Sequence, residues 1–582
     1  MHLQIHQFIP IQIKPLHAHA DQLIQFILIT KIMAFLNYTF LILFLILLPP
    51  IVQSLSTTTS TPILPHKQNH TLHSIIQQLC INIENPESCF SDINSEREPM
   101  PASPSSIIKA ALKSTMKQVQ KTMDYINGFT ALSINQREQI AIQDCMELLD
   151  YSVTELAWAV EDMERIQNGS SSIHNQGNLK AWLSAALGNQ DTCIEGFEGT
   201  PGQVENNIKA SLNQVTQLIS NVLTMYTSLH SVPERPLHRR NINRRNRTRG
   251  GDFPEWISEE DEELVMSSAV DARGMHFDAV VALDGSGRFQ SIVDAVNEAP
   301  NYSMRRYVIY VKSGVYKENV ELKKKKMNIM LVGDGMGETI ITSDRNFMQG
   351  LTTFRTATFA VSGKGFIARD ITFRNTAGPW NHQAVALRVD SDHSAFFRCS
   401  IEGYQDTLYA HSLRQFYREC SIYGTIDYIF GNGAAVLQNC KIFTRKPLWF
   451  QKVTITAQGR KFSNQNTGFS IQNSYVYATE PTYLGRPWKL YSRTVFMQTY
   501  MSNMVQSSGW LEWFENFALN TLYYGEYRNY GPGAGLAGRV KWPGYHVLRD
   551  ASTASFFTVG QFLDGMTWLP ATGVTFQAGL ST

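Results

Sequence analysis

Long apolar runs are scarce in this chain of 582 residues, and so is charge of either sign. Lysine and arginine number 51 against 50 acidic side chains, and charged residues make up only 17%. That balance excludes a globally basic nucleic-acid binder, and 43% hydrophobic residues exclude a solvated, disordered polymer. Cysteine is also sparse: seven are too few for a disulfide-dense miniprotein but enough for a few cross-links. Only Phe35–Val52 resembles a membrane element, and its unbroken apolar part, Phe40–Leu48, is short beside the ~20 residues of a spanning helix. Ser54, Ser56 and Thr57 follow it, so residues 1–56 read as a secretory signal with an N-terminal extension, a signal-anchor being the rival. Membrane contact is then transient, and the remainder enters an oxidising compartment where disulfides persist. Asn69, Asn168, Asn246 and Asn301 open N-x-S/T sequons.

Glycine is rare between residues 71 and 230, where apolar residues recur at helical spacing. Val204, Ile208, Leu212, Val215, Ile219 and Val222 fall at steps of three and four, and similar stripes lie near 104–126, 134–166 and 176–197. Residues 66–232 are therefore expected to form an up-and-down four-helix bundle. Cys80 and Cys89 flank a short Pro-containing segment, and Cys145 and Cys193 sit in two different helices, so the expected pairs are Cys80–Cys89 and Cys145–Cys193. Zinc is the alternative, but CxxC pairs are absent and no metal is expected. Residues 233–267 read as a charged linker: six arginines crowd into 239–249, and Glu259–Glu263 follows. Such a stretch is either solvated chain or a target for a processing protease.

From residue 268 to 582 the helical stripes give way to short β-branched and aromatic runs between Gly, Asn and Asp. Arg398-Cys399-Ser400-Ile401 returns as Glu419-Cys420-Ser421-Ile422 and as Asn439-Cys440-Lys441-Ile442, with Arg369-Asp370-Ile371 and Asn473-Ser474-Tyr475-Val476 as weaker copies. A period near 20 with one β-rich unit per copy predicts a solenoid of stacked coils; a β-sandwich has no reason to repeat at fixed intervals.

Used as a ruler, that repeat places Asp406 and Asp427 each seven residues after a cysteine. In register they lie about one strand spacing apart, ~4.7–4.9 Å. Two carboxyls that close share a proton, so one serves as acid while the other serves as base or nucleophile. The alternatives are a calcium site and a structural Asp ladder, against which the aromatic settings Gly403–Tyr409 (GYQDTLY) and Asp427–Gly431 (DYIFG) argue. The same stacking favours a Cys399–Cys420 bridge, with Cys440 a competitor. The single arginine of Thr482–Trp488 (TYLGRPW), Arg486, is a candidate partner for one Asp.

With Gly314–Glu318 (GVYKE) and Gln383–Arg388 (QAVALR), these blocks in this order resemble the signature blocks of plant pectin methylesterases from Phe277 onward. The helical half, with its Asn189–Cys193 block (NQDTC), resembles the inhibitor domain that precedes the catalytic domain in one class of them. The resemblance implies a right-handed parallel β-helix that hydrolyses methyl esters of homogalacturonan without cofactor or metal. It makes Asp427 the nucleophile, Asp406 the acid and then base, Gln405 and Gln383 the oxyanion donors, and Arg486 the partner of Asp427. Thr353 and Trp488 would contact the sugar chain. The implied partners are pectin, the N-terminal pro-domain and a processing protease. His382, His393 and His411 read as structural or surface residues. The interval between DYIFG and YLGRPW is shorter than the resemblance leads one to expect, as though a loop after Thr479 were trimmed, and Glu262-Glu263-Leu264 replaces a dibasic processing site. Two rival readings are a catalytically silent wall-binding or inhibitor protein and a glycosidase, since paired carboxylates ~5 Å apart also serve retaining sugar hydrolysis.

Overall fold

The amphipathic stripes of the N-terminal half become α1 (Lys67–Cys80), α2 (Pro86–Asn94), α3 (Pro104–Asn127), α4 (Gln136–Gln167), α5 (Gln176–Glu195) and α6 (Gln203–Leu229) in the computed structural model. It describes residues 67–94, 103–167, 176–229 and 276–581, except positions 84, 132, 134 and 201. The expected signal segment, the arginine and acidic runs, Asn168 and Asn246 lie outside the described residues. Ser103 caps α3 by accepting from the Ser106 N–H at 3.2 Å, with Pro104 in the first turn where a missing N–H costs nothing. The buried face of α3 (Ile108, Leu112, Thr115, Val119, Thr122, Ile126) keeps the expected spacing. α3 packs on α4, α4 on α5, α5 on α6, and α6 back on α3, which closes the four-helix bundle. The short α1 and α2 are additional, joined by Cys80–Cys89, while Cys145–Cys193 ties α4 to α5. Among the described residues no helix is long and apolar enough to cross a membrane.

The C-terminal half is a parallel β-helix. Successive coils each lay a strand on sheet 1 (eleven strands), sheet 2 (eight) and sheet 3 (seven), all paired in parallel across coils. The sequence repeat is the coil: Ser400 pairs with Ser421, and Ser421 with Lys441. The corner between sheets 1 and 2 is made by one residue in left-handed conformation, Asp370, Arg398, Glu419, Asn439, Asn473, Gln498 and Arg528 in turn, with φ between 47° and 59°. None is glycine, so each carries a steric cost of roughly 1–2 kcal/mol. From Asp370 to Gln498 a backbone bond to the next coil offsets it: Arg398 N–H donates to Arg418 O at 3.0 Å and Glu419 N–H to Gln438 O at 3.2 Å.

The residue after each corner turns inward, so Cys399, Cys420 and Cys440 form one buried column. All three thiols are free, and the expected Cys399–Cys420 bridge is not formed. In-register residues of parallel strands carry parallel Cα–Cβ bonds about one strand spacing apart, whereas a disulfide needs Cβ atoms at ~3.5–4.5 Å. Each sulfur instead donates to a carbonyl of the preceding coil: Cys399 to Ala368 at 3.5 Å, Cys420 to Phe396 at 3.4 Å and Cys440 to Tyr417 at 3.5 Å. Burial, reinforced by both neighbouring thiols, pushes the Cys420 thiol well above its ordinary pKa and keeps it protonated.

The bundle docks on sheet 3. Phe354, Val385, Tyr409, Phe430 and Ala457 of the solenoid share one apolar cluster with the bundle core. Around it, acids of the bundle meet bases of the solenoid: Asp144 with Arg355 at 2.5 Å, Glu147 with Lys323 at 2.7 Å, Glu155 with Lys324 at 2.7 Å, and Glu195 with Lys489 at 2.5 Å. Trp182 also donates to Asp392 at 2.8 Å.

Thiol titration of the denatured, unreduced protein should therefore count three thiols, rising to the full seven after reduction. A count of one before reduction would mean that a solenoid bridge does form. Replacing both Cys145 and Cys193 by Ser, which opens a link spanning 48 positions, should cost about 4 kcal/mol in denaturant unfolding on the loop-entropy relation.

Candidate active site

The turns that lead from sheet 2 to sheet 3 follow one another along the solenoid at 344–358, 376–386, 403–407, 425–428, 445–452 and 478–481. Sheet register makes two of them equivalent. Leu408 pairs with Ile429, so Asp406 and Asp427, each two residues earlier, occupy the same place on adjacent coils. Both adopt the left-handed conformation, φ 62° and 49°, which Asp tolerates better than most residues and which turns both carboxyls to the same side. Backbone bonds lock the turns together: Ala384 N–H donates to Gln405 O at 3.2 Å and Asp406 N–H to Ile426 O at 3.0 Å.

The two acids sit in different fields. Arg486, from the end of a sheet 3 strand, grips Asp427 with Nε 2.9 Å from Oδ1 and Nη2 2.5 Å from Oδ2. Thr454 donates to Asp427 Oδ1 at 2.6 Å and accepts from the Asp427 N–H at 3.0 Å, fixing the side chain from its far edge. Asp406 is also buried, and among the described residues no side-chain hydrogen bond holds its carboxyl. Burial first and the Asp427 charge second push Asp406 well above the usual carboxyl range, with Arg486 opposing. An arginine partner at one carboxyl and burial without one at the other thus set the two acids apart. Among the described residues no three His, Cys, Asp or Glu side chains are gathered as metal ligands.

A cavity of about 520 Å³ collects Thr353, Gln383, Gln405, Asp406, Asp427, Arg486 and Trp488, the whole of the predicted set. The Gln383 amide oxygen is buried without a partner among the described residues, so this side chain has hydrogen-bonding capacity to spare. Aromatic rings build the wall: Tyr409 stacks on Phe430 at 4.1 Å, Trp488 leans on Phe430 at 5.9 Å, and the Arg486 guanidinium lies 4.2 Å over Trp513. Of the histidines, His411 is buried and bonded to Thr192 at 2.9 Å, His393 stacks on Trp568, and His382 is exposed.

Three contributions had no sequence signal. Thr454 lies in a coil lengthened by the 445–452 turn, so it falls off the 20-residue ruler. Trp513 lies in a segment that the repeat does not reach. The far wall of the cavity is made by the bundle: Thr192, Glu195, Glu198 and Glu205 face the acids from the α5 end and the start of α6.

Comparison with known proteins places this geometry. The family described as Pectinesterase matches residues 278–566, and the family Plant invertase/pectin methylesterase inhibitor matches residues 74–225. An Arabidopsis thaliana sequence carrying the description pectinesterase/pectinesterase inhibitor 22 is 60% identical over 90% of this chain and 97% of its own length. Pectinesterase/pectinesterase inhibitor PPE8B of Prunus persica is 52% identical over 80% of this chain and 88% of its own. The solved structure of pectin methylesterase from carrot superposes with a TM-score of 0.52 and 54% identity, covering 53% of this chain and 99% of that one. With an inhibitor-type bundle, a parallel β-helix and two in-register carboxyls in one cleft, the chain belongs to the pectinesterase family of carboxylic ester hydrolases, in the group that carries an N-terminal pectinesterase-inhibitor domain.

Proposed function

We propose that this chain removes methyl groups from homogalacturonan by an aspartyl acyl-enzyme route, in the plant cell wall after secretion, and that its bundle holds the cleft closed until a protease separates the two halves. The observation that carries the reading is the asymmetry of the acid pair: Asp427 gripped by Arg486, Asp406 protonated by burial and by its neighbour's charge.

Asp427 attacks the ester carbonyl carbon through a carboxylate oxygen. The carbonyl π pair moves onto oxygen, where the Gln405 and Gln383 amides donate to the developing oxyanion. Collapse expels the methoxy oxygen, which takes the proton of Asp406 and leaves as methanol. Asp427 is then joined to the galacturonoyl group as a mixed anhydride, and Asp406 is a carboxylate. Asp406 draws a proton from water as the water attacks the anhydride. Cleavage of that bond releases the galacturonate carboxyl, frees Asp427 and leaves Asp406 protonated for the next cycle. Arg486 is a positioning residue for Asp427, while Thr353 and Trp488 meet the sugar chain.

Methanol release from methylated pectin by the processed enzyme should fall roughly ten-thousandfold or more in Asp427→Ala. Gln405→Ala should lose about 10²–10³ in kcat. Unchanged release in Asp427→Ala would end the reading, and reducing ends appearing with the methanol would point to glycosidase chemistry instead.

Closure by the bundle rests on its side chains walling the cavity and on buried charge pairs across the junction. These acids do not respond to pH alike. Burial raises Glu155 to about 7 despite Lys324, and burial raises Asp144 and Glu195 as well. At Glu147, burial is outweighed by the charges of Arg355, Arg388 and Lys323, and it falls to about 2. Burial lowers the facing His411. Glu155 in the docked state thus binds a proton that a free carboxyl releases, so its contribution is full below pH ~4.5 and is lost as pH rises towards 7. In protein cleaved within 230–275, the fraction of bundle still bound should fall from pH 5 to pH 7.5, as size exclusion reads it. Glu155→Gln should flatten that fall with the other groups unchanged. An identical profile in the variant would remove Glu155 from the account.

A further inference from the structure

The place that Asp406 and Asp427 share along the solenoid has a third occupant. Leu408 pairs with Ile429 and Ile429 with Thr456, so the positions two residues earlier, Asp406, Asp427 and Thr454, follow one another on three successive coils. The lengthened turn at 445–452 hides this in the sequence. Thr454 is fully buried in the strand Val453–Gln458 and does not line the cavity. Its own N–H donates to Thr425 O at 3.1 Å, which fastens it to the Asp427 turn. Its hydroxyl carries one hydrogen, and the Asp427 backbone decides where that hydrogen points. The Asp427 N–H donates to Thr454 Oγ1 at 3.0 Å, so the oxygen is an acceptor on that side, and the hydrogen is left for Asp427 Oδ1 at 2.6 Å.

The two oxygens of Asp427 are therefore not equivalent. A carboxylate has about four lone-pair directions, two on each oxygen. Oδ1 receives the Thr454 hydroxyl and, at 2.9 Å, Arg486 Nε, so both of its directions are taken. Oδ2 receives the guanidinium alone, Nη2 at 2.5 Å and the longer arm of Nε at 3.1 Å, and keeps one direction free. We propose that Thr454 is a positioning residue for the reaction, reserving Oδ1 for hydrogen bonds and thereby assigning the attack on the ester carbon to Asp427 Oδ2. The role rests on Asp427 being the nucleophile, as read under Proposed function. The free pair of Oδ2 forms the bond to the carbonyl carbon while the carbonyl π pair moves onto its oxygen. Oδ1 stays bonded to Thr454 and Arg486 and becomes the aspartyl carbonyl of the anhydride. Without the hydroxyl, the carboxyl swings about Cβ–Cγ and presents Oδ2 less often, although the sugar chain still binds.

The test uses the full chain, cleaved within 230–275 and assayed for methanol release from methylated pectin. Thr454→Val keeps the shape of the side chain without its hydroxyl. Its kcat should fall by up to about 10²-fold, the scale of a small misplacement of a reacting group. KM should stay unchanged, because Thr454 does not line the cavity. Thr454→Ser returns the hydroxyl and should recover most of kcat, even as loss of a buried methyl lowers its melting temperature. A merely structural residue would instead lose activity in step with stability. Equal kcat in wild type and Thr454→Val overturns the proposal, as does a rise in KM alone, or a loss in Thr454→Ser as large as in Thr454→Val. Asp427→Ala in the same assay keeps the two claims apart. If it retains activity, the reaction itself is misread; an inactive Asp427→Ala beside a fully active Thr454→Val removes Thr454 alone. Should Thr454→Val not fold, a crystal structure of the cleaved wild type with an oligogalacturonate decides. The ligand's carboxyl carbon should lie nearer Asp427 Oδ2 than Oδ1, and the opposite order overturns the assignment.

Discussion

At the corners between sheets 1 and 2 from Asp370 to Gln498, a residue forced into the left-handed conformation donates its N–H to the next coil, and this repeated bond keeps successive coils one strand spacing apart. Parallel strands cannot slip by one residue without turning their interior side chains outward, so the buried column through Ile371, Cys399, Cys420 and Cys440 fixes the register as firmly as the bonds do. Because Leu408 and Ile429 are paired, Asp406 and Asp427 have to meet. The mutual repulsion and desolvation of the two acids are unfavourable, and the rest of the solenoid holds them there against that cost.

The junction between bundle and solenoid divides its labour between apolar and charged contacts. Tyr409, Phe430 and Ala457 merge with the bundle core and supply the driving force. The pairs of Asp144, Glu147 and Glu155 with Arg355, Lys323 and Lys324 add less net energy, since burying each charge costs much of what pairing returns. Their effect is orientation. A bundle rotated on sheet 3 would leave several buried charges without partners, so Glu195 and Glu198 reach the cleft in one pose.

Much of this was legible in the sequence where a period existed to read. The stripe from Val204 to Val222 is α6, and the Cys399, Cys420 and Cys440 copies are coils in true register. The acid pair followed from the same ruler. What the ruler could not reach was whatever a lengthened turn displaced: Thr454 comes after the eight-residue turn and bonds Asp427 from outside the repeat. Contacts between distant segments, such as Trp182 with Asp392 across 210 positions, leave no local pattern at all. The short α1 and α2 offer too few turns for a stripe to stand out. Of the three expected cysteine pairs only Cys399–Cys420 failed, because Cα spacing alone admits a bridge that parallel Cβ directions forbid.

The turns from sheet 2 to sheet 3 vary from two residues at 318–319 to fifteen at 344–358, yet the strands they join stay in register throughout. Length can therefore be gained or lost at one turn without disturbing its neighbours. In such a scaffold the rim of the cleft can diversify by small insertions and deletions, while the paired acids beneath inherit their positions unchanged.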